Sequence, residues 1–222
     1  MENKSSNKII VLISLISNVL MFVVAFYLLI YVLATGDDPN GRLLSHFATT
    51  TLTALPLIAY AVLKEKMNVF LLVFYTFYVF VAVFLGASMN FYNQFENINY
   101  DKLIHVFFGY TTAILGLIVL IKTNKLNQSS LFFNLLFIFS FGMMIEAVWE
   151  MLEFSMDQLL GSTTQGVPVL GFNGKYLVDV GETMFDIISN FIGVLIFIIQ
   201  FTFYTKTKKA PIMSFMIREL SK

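Results

Sequence analysis

Residues 131–157 read LFFNLLFIFSFGMMIEAVWEMLEFSMD. The first fifteen positions carry no charge, and Phe, Leu, Ile and Met dominate them. A run this long and this apolar spans a bilayer as a helix. Within it, Glu146, Glu150, Glu153 and Asp157 follow at spacings of four, three and four. On a helix those positions share one face. The stretch therefore implies a membrane helix with a line of carboxylates toward one end. Carboxylates inside an apolar span are costly, and they require pairing, protonation or a bound cation.

Composition extends this reading to the whole chain. Hydrophobic residues make up 58% of the 222 residues and charged residues 13%, about half the charged share of a soluble domain. A soluble fold is excluded on that ground. The chain has no cysteine, which removes disulfides, thiolate metal sites and Cys nucleophiles. Its formal net charge is zero, so no basic surface points to nucleic acid.

Working outward, apolar runs predict spans at 9–33, 46–63, 67–92, 103–121, 131–154 and 182–204. The expected fold class is all-α: one polytopic membrane domain over 1–222, a bundle of six transmembrane helices. The first run is longer than a signal-peptide core, so it reads as a retained helix. Pro56 lies inside the second span, where neighbouring helices can absorb a kink. The connection 155–181 is the longest, and it is read as functional.

Six spans place both termini on one side. The termini and the loops on their side hold eleven Lys and Arg, among them Lys4, Lys64, Lys122 and Lys208. The opposite loops hold three: Arg42, Lys102 and Lys175. The positive-inside rule makes both termini cytoplasmic. Trp149, Tyr92, Tyr100 and Tyr176 then read as an outer aromatic belt.

With that topology the ionisable residues gather at one face of the membrane. The fourth helix begins there with Asp101, Lys102 and His105, and the fifth ends there with its carboxylates. The sixth begins there with Asp179, Glu182, Asp186 and Asn190. Asp101, His105 and Gly109 form a stripe of step four, as do Glu182, Asp186 and Asn190. Gly109, Ala113 and Gly116 suit close helix packing. Glu146 lies roughly 10 Å inside the end of its helix, too deep to reach the headgroups. Glu150 and Asp186 are shallower and within snorkelling reach.

Four segments in this order carry a family resemblance: Asp101-Lys102-Leu103-Ile104-His105; Glu146 with Glu150 and Glu153; Thr164-Gln165-Gly166; and Glu182-Thr183-Met184-Phe185-Asp186 with Asn190 and Gly193. The chain resembles the YjdF-like family of bacterial membrane proteins over about residues 100–198. More distantly it resembles VanZ-like proteins, which share an Asp-Lys-x-x-His start and a final Asp-x-x-x-Asn-x-x-Gly helix. Glu182 departs from the family's usual Asp and keeps the carboxylate. The loop after Gly166 is longer than in many relatives. The resemblance implies a bacterial cytoplasmic membrane and, through the VanZ-like proteins' link with glycopeptide resistance, cell-envelope biology. It implies no particular reaction.

Plain alternatives stand beside each functional role. Asp101 or Glu182 can cap a helix, and Lys102 can snorkel outward. Glu153 and Asp157 can be solvated, and His105 can bond a carbonyl. Such explanations are weakest for Glu146, Glu150, Asp186 and His105 together. These four are the candidate catalytic groups. Asp101, Lys102, Glu153, Glu182 and Asn190 are the candidate substrate contacts. His105, Glu150 and Asp186 are the candidate ligands of a divalent cation such as Mg, Mn or Zn.

Three functions fit. One is an outer-leaflet site that binds or processes an envelope lipid or lipid-linked headgroup, with the carboxylates as cation ligands or as general acid and base. No His-Glu-x-x-His motif supports a known hydrolase. The second is a proton- or cation-coupled transporter, which the lack of a visible repeat disfavours. The third is a non-enzymatic partner subunit whose charged face docks another helix.

Overall fold

The computed structural model describes residues 4–38, 41–64, 67–160, 165, 169–170, 176–177 and 180–221. Asp179, Thr164, Gly166 and Lys175, and the side chain of Tyr176, lie outside the described residues. Among the described residues, six helices are long and apolar enough to cross a membrane: Asn7–Thr35, Leu43–Leu63, Val69–Ser88, Tyr100–Lys122, Leu131–Leu159 and Val180–Thr207. The all-α, six-span expectation holds. Large side chains such as Phe132, Leu159 and Ile199 are exposed on these helices; in a bilayer that surface meets lipid tails. The only strands among the described residues are β1 (Val169–Leu170) and β2 (Tyr176–Leu177), an antiparallel pair two residues long.

The chain divides into two compact units, Met1–Tyr100 and Asp101–Lys222. In the first, α1 (Lys4–Thr35) packs on α2 (Leu43–Leu63) and on α3 (Val69–Tyr78), which continues as a π-helix over Val79–Ser88. α1 turns Ser14, Asn18, Met21, Ala25, Leu29 and Val32 inward, at steps of three and four that make one stripe. Asn18 Nδ2 donates to Thr76 Oγ1 at 2.8 Å, a polar tie between helices inside the apolar layer.

Pro56 takes its N–H away from the carbonyl of Leu52, four residues earlier. The Tyr75 hydroxyl fills the gap, donating to Leu52 O at 2.9 Å. The π segment is braced in the same way. Tyr92 OH donates to Ala82 O at 3.1 Å and Tyr100 OH to Val81 O at 2.8 Å. Both tyrosines therefore turn inward and leave the expected aromatic belt. Gly86 makes the room for this, because a Cβ there would press into the Tyr92 ring. Met89 and Asn90 end the third span, and α4 (Phe91–Gln94) with a 3-10 turn (Glu96–Ile98) follows.

The second unit contains α5 (Tyr100–Lys122), α6 (Leu131–Leu160), α7 (Val180–Thr207) and α8 (Pro211–Leu220). α5 and α7 touch backbone to backbone. A Cβ on Gly109 would strike the Asn190 carbonyl, and one on Gly193 would strike the Val106 carbonyl. Gly116 meets Ile138 and Phe141 of α6, and Gly142 of α6 meets Val194 and Thr112. Small residues on three helices thus close the bundle just below the acidic end, as the glycine spacing predicts for α5. α8 lies in what the sequence reads as a basic tail. It buries Met213, Met216 and Leu220, one face of a short amphipathic helix.

Candidate functional site

The acidic end of the second unit is a connected polar cluster. Lys102 is the second residue after the start of α5 and faces α7, because it stands three residues before His105 and seven before Gly109, beside their stripe. Its Nζ lies 2.6 Å from Glu182 Oε1, 2.7 Å from Asp186 Oδ1 and 3.0 Å from Asp101 Oδ2. Three carboxylates around one ammonium replace the snorkelling lysine that helix ends usually show. Neither Asp186 nor Glu150 snorkels: they are 3% and 6% exposed.

His105 sits one turn further into α5 and joins two sides of the cluster. Its Nδ1 is 2.9 Å from Glu146 Oε1. Its Nε2 is 3.5 Å from Asp186 Oδ1 and 3.7 Å from Asp101 Oδ1. Glu146 is fully buried, as its depth in α6 requires. Glu146 Oε2 and both carboxylate oxygens of Glu150 are buried and accept no hydrogen bond. One donor atom from each of His105, Glu146 and Glu150 lies within 4.8 Å of the others; the same holds for Asp101, His105 and Asp186.

The charges do not balance. Asp101, Glu146, Glu150, Glu182 and Asp186 face one ammonium and one imidazole. Even a charged imidazole leaves three carboxylates without a counter-charge. In a low-dielectric setting the remainder must be held by protons or by a cation. Carboxylate oxygen with imidazole nitrogen is the donor set of a divalent ion such as Mn, Mg or Zn.

The remaining candidates occupy the margins. Glu153 is half-buried one turn beyond Glu150, and Glu182 is open on one side. Asn190 is fully buried beneath the cluster; its Nδ2 points to Met143 Sδ at 3.6 Å and its Oδ1 has no partner. Trp149 is exposed beside Phe108. Asp157 is part-exposed, and its Oδ2 accepts from the Gln165 backbone N–H at 2.9 Å.

Gln165 is the residue whose place spacing could not reveal. Its Nε2 donates to the Glu150 carbonyl at 3.3 Å and to Thr183 Oγ1 at 3.2 Å, and the side chain is buried. It bridges α6 and α7 beside Glu150. The Thr164-Gln165-Gly166 triplet marked the position without assigning it a contact.

A family model described as a predicted membrane protein (DUF2238) matches residues 16–207. That range takes in all six spans in whole or part and every residue of the cluster. Neither a curated protein nor a solved structure matches the chain.

Proposed function

Because the chain belongs to the family of predicted membrane proteins DUF2238, we propose a function exercised within the bilayer: a divalent-cation site that holds the phosphate headgroup of an envelope lipid or lipid-linked precursor. The observation that carries this reading is the set of three buried, unpartnered carboxylate oxygens on Glu146 and Glu150 beside His105. An oxygen-rich, negatively charged cluster repels a bare phosphate. A divalent ion between them reverses that sign and bridges the two. His105, Glu146 and Glu150 are the proposed ligands, with Asp186 the next group in reach. Lys102 would orient the headgroup from the rim, where Glu182 and Asp101 are part-exposed.

The basic residues support an outer-leaflet position in a bacterial cytoplasmic membrane, with both termini inside. The cysteine-free chain makes this direct to test. An impermeant thiol reagent added outside cells should label Asn97→Cys and spare Ser221→Cys; the reverse pattern overturns the orientation.

The cation is tested on protein purified in mild detergent without chelator. Metal content and a calorimetric Mn titration should give about one ion per chain in the wild type and none in Glu150→Gln. A wild type that neither carries nor takes up a divalent ion sinks the reading. With the ion in place, phospholipid extracted from the protein should be enriched over that from Glu150→Gln.

One observation favours a second reading, an ion-coupled carrier. His105 links the part-exposed Asp101 to the fully buried Glu146, which is how a proton relay begins. The relay has no visible continuation: residues 106–121, 131–145 and 187–205 hold no Asp, Glu, His, Lys or Arg. Proton flux into proteoliposomes that Glu146→Gln abolishes would establish the carrier instead.

A further inference from the structure

The opposite end of the second unit contains a different site. A cavity of about 320 Å³ opens where the α5–α6 connection, the start of α6, the end of α7 and α8 meet. Phe201, Leu131 and Ile217 make its apolar wall, while Asn127, Asn134 and Lys208 supply polar groups. Leu131 and Thr207 end their spans, so the cavity lies where hydrocarbon gives way to headgroups.

Two features bear on what the cavity could hold. Asn134 is 4% exposed; its Nδ2 donates to Leu126 O at 2.9 Å and its Oδ1 has no partner. A buried amide oxygen left unpaired is costly, and a hydroxyl donor from a ligand would satisfy it. Lys208 supplies the charge. It follows α7 in the left-handed region, with φ 57°, and its N–H closes the helix on Tyr204 O at 2.8 Å. That conformation is a regular helix stop, though one that favours Gly over a lysine. Here it folds the side chain back, so that Nζ sits 4.9 Å from the centre of the Tyr204 ring, another cavity residue.

The charged residues next to the cavity's lining in the chain are mostly positive. Lys122, Lys125, Lys206 and Lys209 flank it in the chain. The acid on α8, Glu219, lies near Arg218, with Oε1 3.5 Å from Nε. An amphipathic cavity at headgroup depth, with one anchored cation and one waiting acceptor, matches a phosphate ester that also carries hydroxyls. We propose that this cavity binds a phosphoglycerol group, with Lys208 on the phosphate and Asn134 Oδ1 accepting from a glycerol hydroxyl. The site is independent of the acidic cluster and of any cation there.

The test uses the full chain in nanodiscs of phosphatidylcholine doped with phosphatidylglycerol, with bound lipid counted by native mass spectrometry. Phosphatidylglycerol should be retained over phosphatidylcholine. Lys208→Gln should weaken that retention about tenfold, the worth of one charge-assisted contact. Lys209→Gln removes the same charge one residue away and should change it less than about twofold. Free glycerol 1-phosphate distinguishes the source: failure to compete assigns a membrane lipid, and competition assigns a soluble ester. No preference for phosphatidylglycerol, or equal loss in both lysine variants, overturns the proposal. Asn134→Leu provides a second readout: it should lower phosphatidylglycerol retention and leave phosphatidylcholine retention unchanged in chains that keep the wild-type unfolding midpoint.

Discussion

His105 Nδ1 stands 2.9 Å from Glu146 Oε1, and no other side chain among the described residues hydrogen-bonds that fully buried carboxylate. Removing one partner of a buried pair leaves the other uncompensated, at about 3–5 kcal/mol. His105→Leu should therefore lower the unfolding midpoint in mild detergent severely. His105→Leu with Glu146→Leu should recover most of the loss, because an apolar pair is at home in the bundle. Equal destabilisation by the single and the double variant would show that the two side chains do not interact.

Lys102 invites a complementary experiment. Its ammonium lies where a cation among Asp101, Glu182 and Asp186 would lie. Lys102→Met leaves those carboxylates to repel one another. The cost should be roughly 2–3 kcal/mol, below that of a fully buried pair because Asp101 and Glu182 are part-exposed. Asp101, His105 and Asp186 can offer converging ligand atoms once the lysine is gone. Added Mn should therefore raise the melting temperature of Lys102→Met more than that of the wild type, by the ligand linkage of a second ion. A smaller rise in the variant would mean that the ammonium does not stand in for an ion.

In the first unit the exchange between Pro56 and Tyr75 can be isolated by a double-mutant cycle. Tyr75→Phe leaves the Leu52 carbonyl without its donor in an apolar layer, a loss of about 1–2 kcal/mol. Pro56→Ala restores an N–H four residues after Leu52. Tyr75→Phe should then cost little in the Pro56→Ala background. Both stabilities can be read by denaturant unfolding in the same detergent; an unchanged cost in the two backgrounds contradicts the pairing.

These contacts show where the sequence was informative. Helix number and approximate bounds follow from hydropathy, since a bilayer requires the same apolar length of every span. The cluster followed from the steps of Asp101–His105, Glu146–Glu150 and Glu182–Asp186, because helical periodicity is local. What escaped depends on contacts between segments distant in sequence. Lys102 was open to a snorkelling reading because its own helix end offers that path; only α7, 80 residues on, supplies Glu182. Tyr92 and Tyr100 looked like belt residues until the π segment presented carbonyls to them. α8 is too short for hydropathy to separate from a tail, though Met213, Met216 and Leu220 already share one face.

Gly109 and Gly116 are seven residues apart on α5 and look alike in sequence, yet the structure separates them. At Gly109 a Cβ would enter the Asn190 carbonyl, a backbone atom that no rotamer change can move aside. At Gly116 the nearest contacts are Ile138 Cα and Phe141 Cβ, both at 3.3 Å, which a shift of a few tenths of an ångström relieves. Gly109→Ala must push α5 from α7, so its cost should reach about 3 kcal/mol or more. It should also separate Lys102 from Glu182 and Asp186, loosening the site from below. Gly116→Ala should stay within about 1 kcal/mol of the wild type, since added helix propensity offsets slight crowding. Thermal unfolding of the two variants checks the contrast, and a Gly109→Ala protein as stable as Gly116→Ala would place α5 and α7 further apart than described.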